Sequence, residues 1–284
     1  MRDDFCAFIL THGRPDKVYT TKCLEDHGYT GKIYYVIDNE DKRADEYYKT
    51  FGKDNVLMFD KAEIAKTFDE GDNFDDRRAI IYARNVCFRL AEQVGCKYFI
   101  QLDDDYTNLG YRFNGRREFG YWAVKDLDRV LETMIEFFDA TDALTVAMPQ
   151  GGDFIGGAEG SFGKAIRSKR KAMNTFICST DRPFQFFGRI NEDVNAYTTL
   201  GRQGELFLTL GTVMVNQKST QSNSGGMTDL YLDSGTYVKS FYSIMYSPSC
   251  VHIATMGDKH PRLHHTVSWD RCSPQIVSEV HRNA

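Results

Sequence analysis

Short apolar runs separated by amphipathic stretches recur through the first 120 residues, and this alternation limits the possible folds most narrowly. "FCAFILT" reads as a strand, "KVYTTKCLEDHG" as a helix closed by Gly28, "KIYYVID" as a strand and "DEYYKTFG" as a helix closed by Gly52. "NVLMF" follows as a strand. A long helix then spans "RRAIIYARNVCFRLAEQVG", where Ile80, Ile81, Ala83, Cys87, Leu90, Ala91 and Val94 trace one apolar face before Gly95 stops it. "KYFIQL" is almost wholly apolar, as a strand buried on both faces of a parallel sheet must be. Strand alternating with helix dictates an α/β fold, a mostly parallel, Rossmann-like central sheet with flanking helices.

Past Gly120 a helix is expected over "AVKDLDRVLETMIEFFDAT", leading into "ALTVAMP" as a strand. The sequence then turns Gly-rich, irregular and strand-leaning, with no linker at the change. One domain over 1–284 is expected, with a first half over 1–120 and an irregular, strand-containing second half over 121–284. "GGDFIGGAEGSFG" holds six glycines, which suit either a loop that approaches a ligand or a tolerant surface loop. "STQSNSGGMTD" reads as a mobile loop.

Composition removes several classes of function. No apolar run approaches a membrane span of about 18 residues, and "MRDD" opens no secretory signal, so a soluble intracellular protein is expected. Seven scattered cysteines with no C-x-x-C imply neither a disulfide framework nor a zinc knuckle. A net charge of -5 gives no global attraction to nucleic acid, so a polyanion would have to meet a local basic patch.

In an open parallel sheet, ligands bind at the carboxyl ends of the strands, and three strands finish in polar groups. "FILTHGRPDK" presents Thr11, His12 and Arg14, "YYVIDNED" presents Asp38, and "YFIQLDDD" presents Asp103, Asp104 and Asp105. Arg14 can face phosphate, and Asp38 can accept from a ribose hydroxyl or a base imino group, although a strand-end Asp also serves as a helix cap. Three adjacent carboxylates repel, so either water or a cation must compensate them. Hard oxygens spaced D-x-D favour Mg²⁺ or Mn²⁺ shared with a diphosphate.

Three later features bear on the same site. "GRINEDVNAYTTL" supplies Glu192 and Asp193, which can deprotonate an acceptor hydroxyl, hold sugar hydroxyls, or be an ordinary surface pair. "GDKHPRLHHTVSWD" gathers His260, His264 and His265, of which a neutral imidazole can complete a metal site begun by carboxylates. "KAIRSKRKAMN" contains Lys164, Arg167, Lys169, Arg170 and Lys171, a patch for a nucleic-acid backbone, for nucleotide phosphates, or a solvated loop.

Taken together, "FILTHGRP", Asp38, the Arg-Asn pair of "YARN", "LDDD", "NED" and a late histidine resemble a glycosyltransferase of the GT-A type. More narrowly, the chain is similar to the TET-associated glycosyltransferases of bacteriophages, which modify hydroxymethylated pyrimidines in DNA. The likeness runs from about Phe5 to the His264 region. It implies a GT-A fold with a nucleotide-sugar-binding first half, an acceptor-binding second half and a C-terminal metal-binding tail. It also implies a UDP-linked donor (UDP-glucose or UDP-N-acetylglucosamine), a divalent metal (Mn²⁺ or Mg²⁺), an acceptor such as 5-hydroxymethylcytosine in phage DNA, and action in the cytoplasm of an infected host.

Residue by residue, the resemblance puts Thr11, Arg14, Asp38, Arg84 and Asn85 around the donor. Asp103, with Asp104, falls at the nucleotide sugar, Asp105 on the metal, and His264 or His265 on the metal from the tail. Asp193, with Glu192, falls at the base or acceptor. Arg167, Lys169, Arg170 and Lys171, with Phe184, Phe186 and Phe187, are the candidates for DNA contact, although any single phenylalanine is more often a core aromatic. The alternatives are the same chemistry on a protein or small-molecule acceptor, and a non-catalytic DNA-binding module. A sugar-nucleotide nucleotidyltransferase is disfavoured by the single glycine in "LTHGRPDK".

Overall fold

The computed structural model describes residues 1–72, 77–116, 118–154, 156–160, 166–167, 169, 175–218, 238–256 and 262–273. The alternating first half folds in the expected order: β1 (Phe5–Leu10), α1 (Tyr19–Asp26), β2 (Lys32–Asp38), α2 (Ala44–Phe51), β3 (Val56–Phe59), α3 (Lys61–Ala65), α4 (Ile81–Gln93) and β4 (Tyr98–Asp103). These four strands are parallel and lie side by side as β3-β2-β1-β4. All of β1 is buried, and β4 is buried up to its last residue, which accounts for their unbroken apolar sequences.

The sheet continues into the second half with β9 (Phe176–Ser179), β7 (Ala143–Ala147), β10 (Leu206–Leu210) and β8 (Ile166–Arg167), giving the order β3-β2-β1-β4-β9-β7-β10-β8. Strand β9 runs antiparallel to both β4 and β7, while β10 is parallel to β7 and β8 antiparallel to β10. Six strands therefore share one direction and two oppose it, so the sheet is mostly parallel, and it draws on both halves of the chain. Its two faces are packed separately. Ile9, Ile100, Leu131 and Phe138 belong to the core on one side, and Phe8, Phe99, Val86 and Phe186 to that on the other.

Two parts differ from expectation. The helix expected from Ala123 is α5 (Leu127–Asp139), which starts where the Asp126 carboxylate accepts Arg129 N–H at 3.0 Å. The residues before it form β6 (Phe119–Ala123), which pairs antiparallel with β5 (Tyr106–Phe113), a strand that starts directly after the three aspartates. With β11 (Val213–Gln217) they make a small sheet beside the main one. The helix α6 (Glu192–Arg202) follows β9, and α7 (Val238–Tyr246) packs on the hairpin of β12 (Val251–Met256) and β13 (Arg262–Val267), after which comes α8 (Trp269–Cys272).

All seven cysteines are buried free thiols, in keeping with their scattered spacing. Among the described residues no helix is long and apolar enough to cross a membrane. The segment 219–229 and most of the Gly-rich stretch after Gly160 lie outside the described residues.

Candidate functional site

Strands β1 and β4 are neighbours, but the chain leaves β1 toward β2 and β3, whereas every later strand of the sheet lies beyond β4. The carboxyl ends of β1 and β4 therefore flank a topological switch point, where such sheets bind ligands. Leu10 and Asp103 are in register, so Thr11–Arg14 and Asp103–Asp105 leave the sheet side by side.

Asp104 joins these two segments. Its buried carboxylate accepts Thr11 Oγ1–H at 2.7 Å and Arg14 Nε–H at 2.8 Å, and its carbonyl accepts the Tyr19 and Thr20 amides at the start of α1. Burial pushes its carboxyl up, against the pull of the Arg14 guanidinium. The Tyr47 hydroxyl of α2 lies 2.9 Å from Thr11 Oγ1 and accepts the Arg14 amide at 3.0 Å. Arg14 is thus fixed through Nε, while its two terminal nitrogens meet no protein acceptor among the described residues. A guanidinium held in this way has a fork left for a phosphate.

Asp38 ends β2 beneath this loop, 4% exposed. Its Oδ2 lies 2.8 Å from His12 Nδ1 and accepts Lys61 Nζ–H at 3.2 Å, and its Oδ1 accepts the Glu40 amide at 3.0 Å. Burial opposes its charge, but the His12 hydrogen bond and the Lys61 ammonium outweigh burial and hold its carboxyl below the usual range.

Arg84 on α4 is 1% exposed and bridges the two acidic motifs. Its Nη2–H donates to Asp103 Oδ1 at 3.0 Å and its Nε–H to Glu192 Oε1 at 2.9 Å, with the guanidinium lying over the rings of Phe176 and Phe186. Burial alone would discharge so enclosed a guanidinium, but Asp103 and Glu192 outweigh it and hold the charge. Glu192 is in turn pushed up by burial despite Arg84, with Asp193 adding to the rise. Nη1 of Arg84 is buried without a partner among the described residues. An acidic pair far along the chain is thereby joined to the strand-end carboxylates in one charge array of Asp103, Arg84, Glu192 and Asp193.

Asn191 precedes that pair in the left-handed region at φ 60°, where no other non-glycine among the described residues is found. Such a conformation costs energy and is tolerated where the surroundings impose it. Its amide nitrogen donates to Ser243 Oγ on α7 at 3.0 Å and lies 3.2 Å from His265 Nδ1 on β13. His265 therefore reaches the N-terminus of α6, beside Glu192. His264 follows the alternation of the strand onto the opposite face of the hairpin, although the two rings touch at 4.4 Å. Asn85 closes a two-bond ring with the Phe186 backbone, at 3.0 and 2.8 Å, and so fixes the segment that covers Arg84.

Asp105 is the member of the triple with a buried oxygen, Oδ1, that no protein group meets among the described residues. Burial, then the charges of Asp103 and Asp104, pushes its carboxyl up to about 7. A carboxylate in that position calls for a proton or a cation, so its chemistry fits a divalent metal. Among the described residues no cluster of three His, Cys, Asp or Glu closes around one point, so the protein side supplies few ligands and a diphosphate would supply others.

The basic run is not assembled into a site by the described residues. Arg167 lies on β8, paired with Thr209, and Lys169 is exposed and ion-paired with Asp270, while Lys164, Arg170, Lys171 and His260 lie outside them. Phe186 is fully buried and is a core aromatic, while Phe184 is half-buried and packs against Phe88, Phe186 and Phe207. Phe187 is half-buried against Tyr246. Sequence reasoning missed Tyr47, Lys61 and Asn191. The first two sit on short helices whose buried polar atoms carry no local signature, and only the N of "NED" was visible for the third.

No curated protein matches the chain. Among solved structures, TarS of S. aureus (residues 1–349, in complex with UDP) is similar at 12% identity and a TM-score of 0.47, with 85% of this chain and 64% of that chain covered, less than two thirds of TarS. The model of the TET-Associated Glycosyltransferase family matches residues 5–226, the span that carries Thr11, Arg14, Asp38, Arg84, the aspartate triple and the Glu192–Asp193 pair. By that match the chain belongs to the TET-Associated Glycosyltransferase family.

Proposed function

We propose that the protein transfers a sugar from a UDP-linked donor, UDP-glucose or UDP-N-acetylglucosamine, to the hydroxyl of a hydroxymethylated pyrimidine such as 5-hydroxymethylcytosine in phage DNA. The observation that carries this reading is the Arg84 bridge, because it sets the strand-end carboxylates and the α6 carboxylates on either side of one buried cation. A donor-binding group and an acceptor-activating group must lie that close for transfer to be direct.

In this reading the Arg14 terminal nitrogens hold the diphosphate and Asp103, oriented by Arg84, meets the donor ribose or sugar. Asp105 and a tail histidine, His264 or His265, would hold a Mn²⁺ or Mg²⁺ ion, which when bound neutralises charge on the departing diphosphate. Asp193 accepts the proton of the attacking hydroxyl. Glu192 is committed to Arg84 and keeps that end of the site charged in balance. A base in duplex DNA would have to leave the stack to reach these carboxylates, at a cost of a few kcal/mol.

The test is incubation with each UDP-sugar, Mn²⁺ and DNA that does or does not contain 5-hydroxymethylcytosine, followed by nucleoside digestion and mass spectrometry. The expected product is 5-hydroxymethylcytosine bearing one sugar. Transfer to unmodified DNA, or to protein alone, overturns the acceptor assignment. Absence of transfer and of donor hydrolysis with any divalent metal favours a DNA-binding module.

A further inference from the structure

Asp38 sits where a base or ribose would be read, but its two oxygens are already engaged. Oδ2 serves His12 and Lys61, Oδ1 serves the Glu40 amide, and the carboxylate lies under the loop with little access to solvent. The group that emerges above it is the imidazole of His12, whose side chain is 44% exposed.

The loop that carries His12 is tied down at each neighbouring residue. Thr11 is held by Tyr47 and Asp104, the Gly13 amide donates to Asp41 Oδ2 at 2.6 Å, and Arg14 is held by Tyr47 and Asp104. Gly13 adopts φ +73°, a turn that a side chain at this position would strain. His12 itself is fixed at Nδ1, which lies 2.8 Å from Asp38 and 3.9 Å from Asp41. Its remaining nitrogen, Nε2, meets no protein group among the described residues.

That geometry also sets which way Nε2 can bond. An ionised carboxylate only accepts hydrogen bonds, so Nδ1 carries the proton, and in the neutral ring Nε2 then has a lone pair and no hydrogen. An outward acceptor discriminates between pyrimidines, because uracil offers an imino N–H at its third ring position where cytosine offers a second lone pair.

We propose that His12 reads the base of the nucleotide donor, accepting the imino N–H of uracil at Nε2, and that Asp38 is the positioning residue that fixes the ring and its tautomer. The proposal rests on the nucleotide-donor reading of this site. It assigns the preference for a UDP-linked over a CDP-linked donor to one side chain, and thymine nucleotides, which share the imino edge, would be accepted on the same ground.

The test is calorimetric titration of UDP, dTDP and CDP in the presence of Mn²⁺ into the full chain and its variants. The wild type is expected to bind UDP at least about tenfold more tightly than CDP, with dTDP preferred over CDP as well, since one hydrogen bond is exchanged for a lone-pair repulsion. His12→Ala brings the UDP to CDP ratio near one. His12→Gln, whose amide can present either an oxygen or an N–H group, also loses the preference while keeping the polar contact. Asp38→Asn lowers the same ratio, and lowers it no further in the His12→Ala background. Thermal unfolding of each variant identifies any that fails to fold, and His12, exposed at the loop surface, tolerates both changes. A full UDP preference in folded His12→Ala, or equal binding of UDP and CDP by the wild type, overturns the proposal. Binding of none of the three nucleotides by the wild type instead overturns the nucleotide-donor reading beneath it.

Discussion

Arg84 and Glu192 stand 108 positions apart in the chain, yet Nε of the first donates to Oε1 of the second at 2.9 Å, inside a region where Arg84 is almost fully enclosed. The same guanidinium holds Asp103, so one cation compensates an acidic group from each half of the chain. Removing it strands two carboxylates in a poorly solvated place. Arg84→Ala is expected to lose about 3–5 kcal/mol of stability, read as a shift in the denaturant midpoint. Arg84→Lys keeps the charge but not the fork, and is expected to fold with turnover reduced at least about tenfold.

Asp105 links stability to pH and to metal. Its folded carboxyl is raised to about 7, above its unfolded value, so the folded state binds the proton more tightly. Stability of the metal-free protein is therefore greatest at low pH as far as this group is concerned, and is lost as pH rises toward 7, by up to about 4 kcal/mol. Asp105→Asn is expected to melt higher than the wild type at pH above 7 without metal, and the difference disappears in mild acid. Mn²⁺ raises the melting temperature of the wild type and leaves that of Asp105→Asn unchanged.

Asp193 and Glu192 separate binding from chemistry. Asp193→Asn is expected to reduce kcat by about a hundred- to ten-thousandfold while the UDP dissociation constant stays the same. Steady-state transfer kinetics set beside UDP titration make the comparison. A matching loss of UDP affinity would move Asp193 from the acceptor side to the donor side.

Asp104, by contrast, acts through others. It fastens Thr11 and Arg14 to the end of β4 and holds the start of α1 through its carbonyl. Asp104→Ala is expected to cost about 3 kcal/mol, since two bonds to a buried charge are lost, and to weaken UDP binding with little further loss in kcat. Guanidine unfolding and UDP titration check both parts.

Much of this was legible in the chain. The apolar runs of β1 and β4 are long because both faces of those strands are buried, and the second half of β2 is buried likewise, so their limits could be read to within a residue or two, and the polar groups at their ends followed. What the residues could not show is which ends share a cation. The pairing of Arg84 with Glu192 is a consequence of where β9 and α6 pack, and no local pattern encodes it. The strands β5 and β6 were hidden for a related reason: half-exposed and interrupted by Gly110 and Gly120, they lack the clean alternation of an amphipathic strand. The partners of Asp38, His12 and Lys61, come from different elements, so the sequence alone did not pair them with it. His264 and His265 could not be told apart in the chain because only the strand register shows that they face opposite ways, with His265 beside Asn191.

The central claim is that the aspartate triple and the α6 carboxylates form one donor-and-acceptor site around a metal-bound diphosphate. Anomalous scattering from a crystal soaked with UDP and Mn²⁺ tests it most directly. The expected peak lies within about 2.3 Å of an Asp105 carboxylate oxygen and in contact with the diphosphate, with the Arg14 guanidinium on the phosphates. Manganese bound elsewhere, or UDP seated away from the ends of β1 and β4, would contradict the claim.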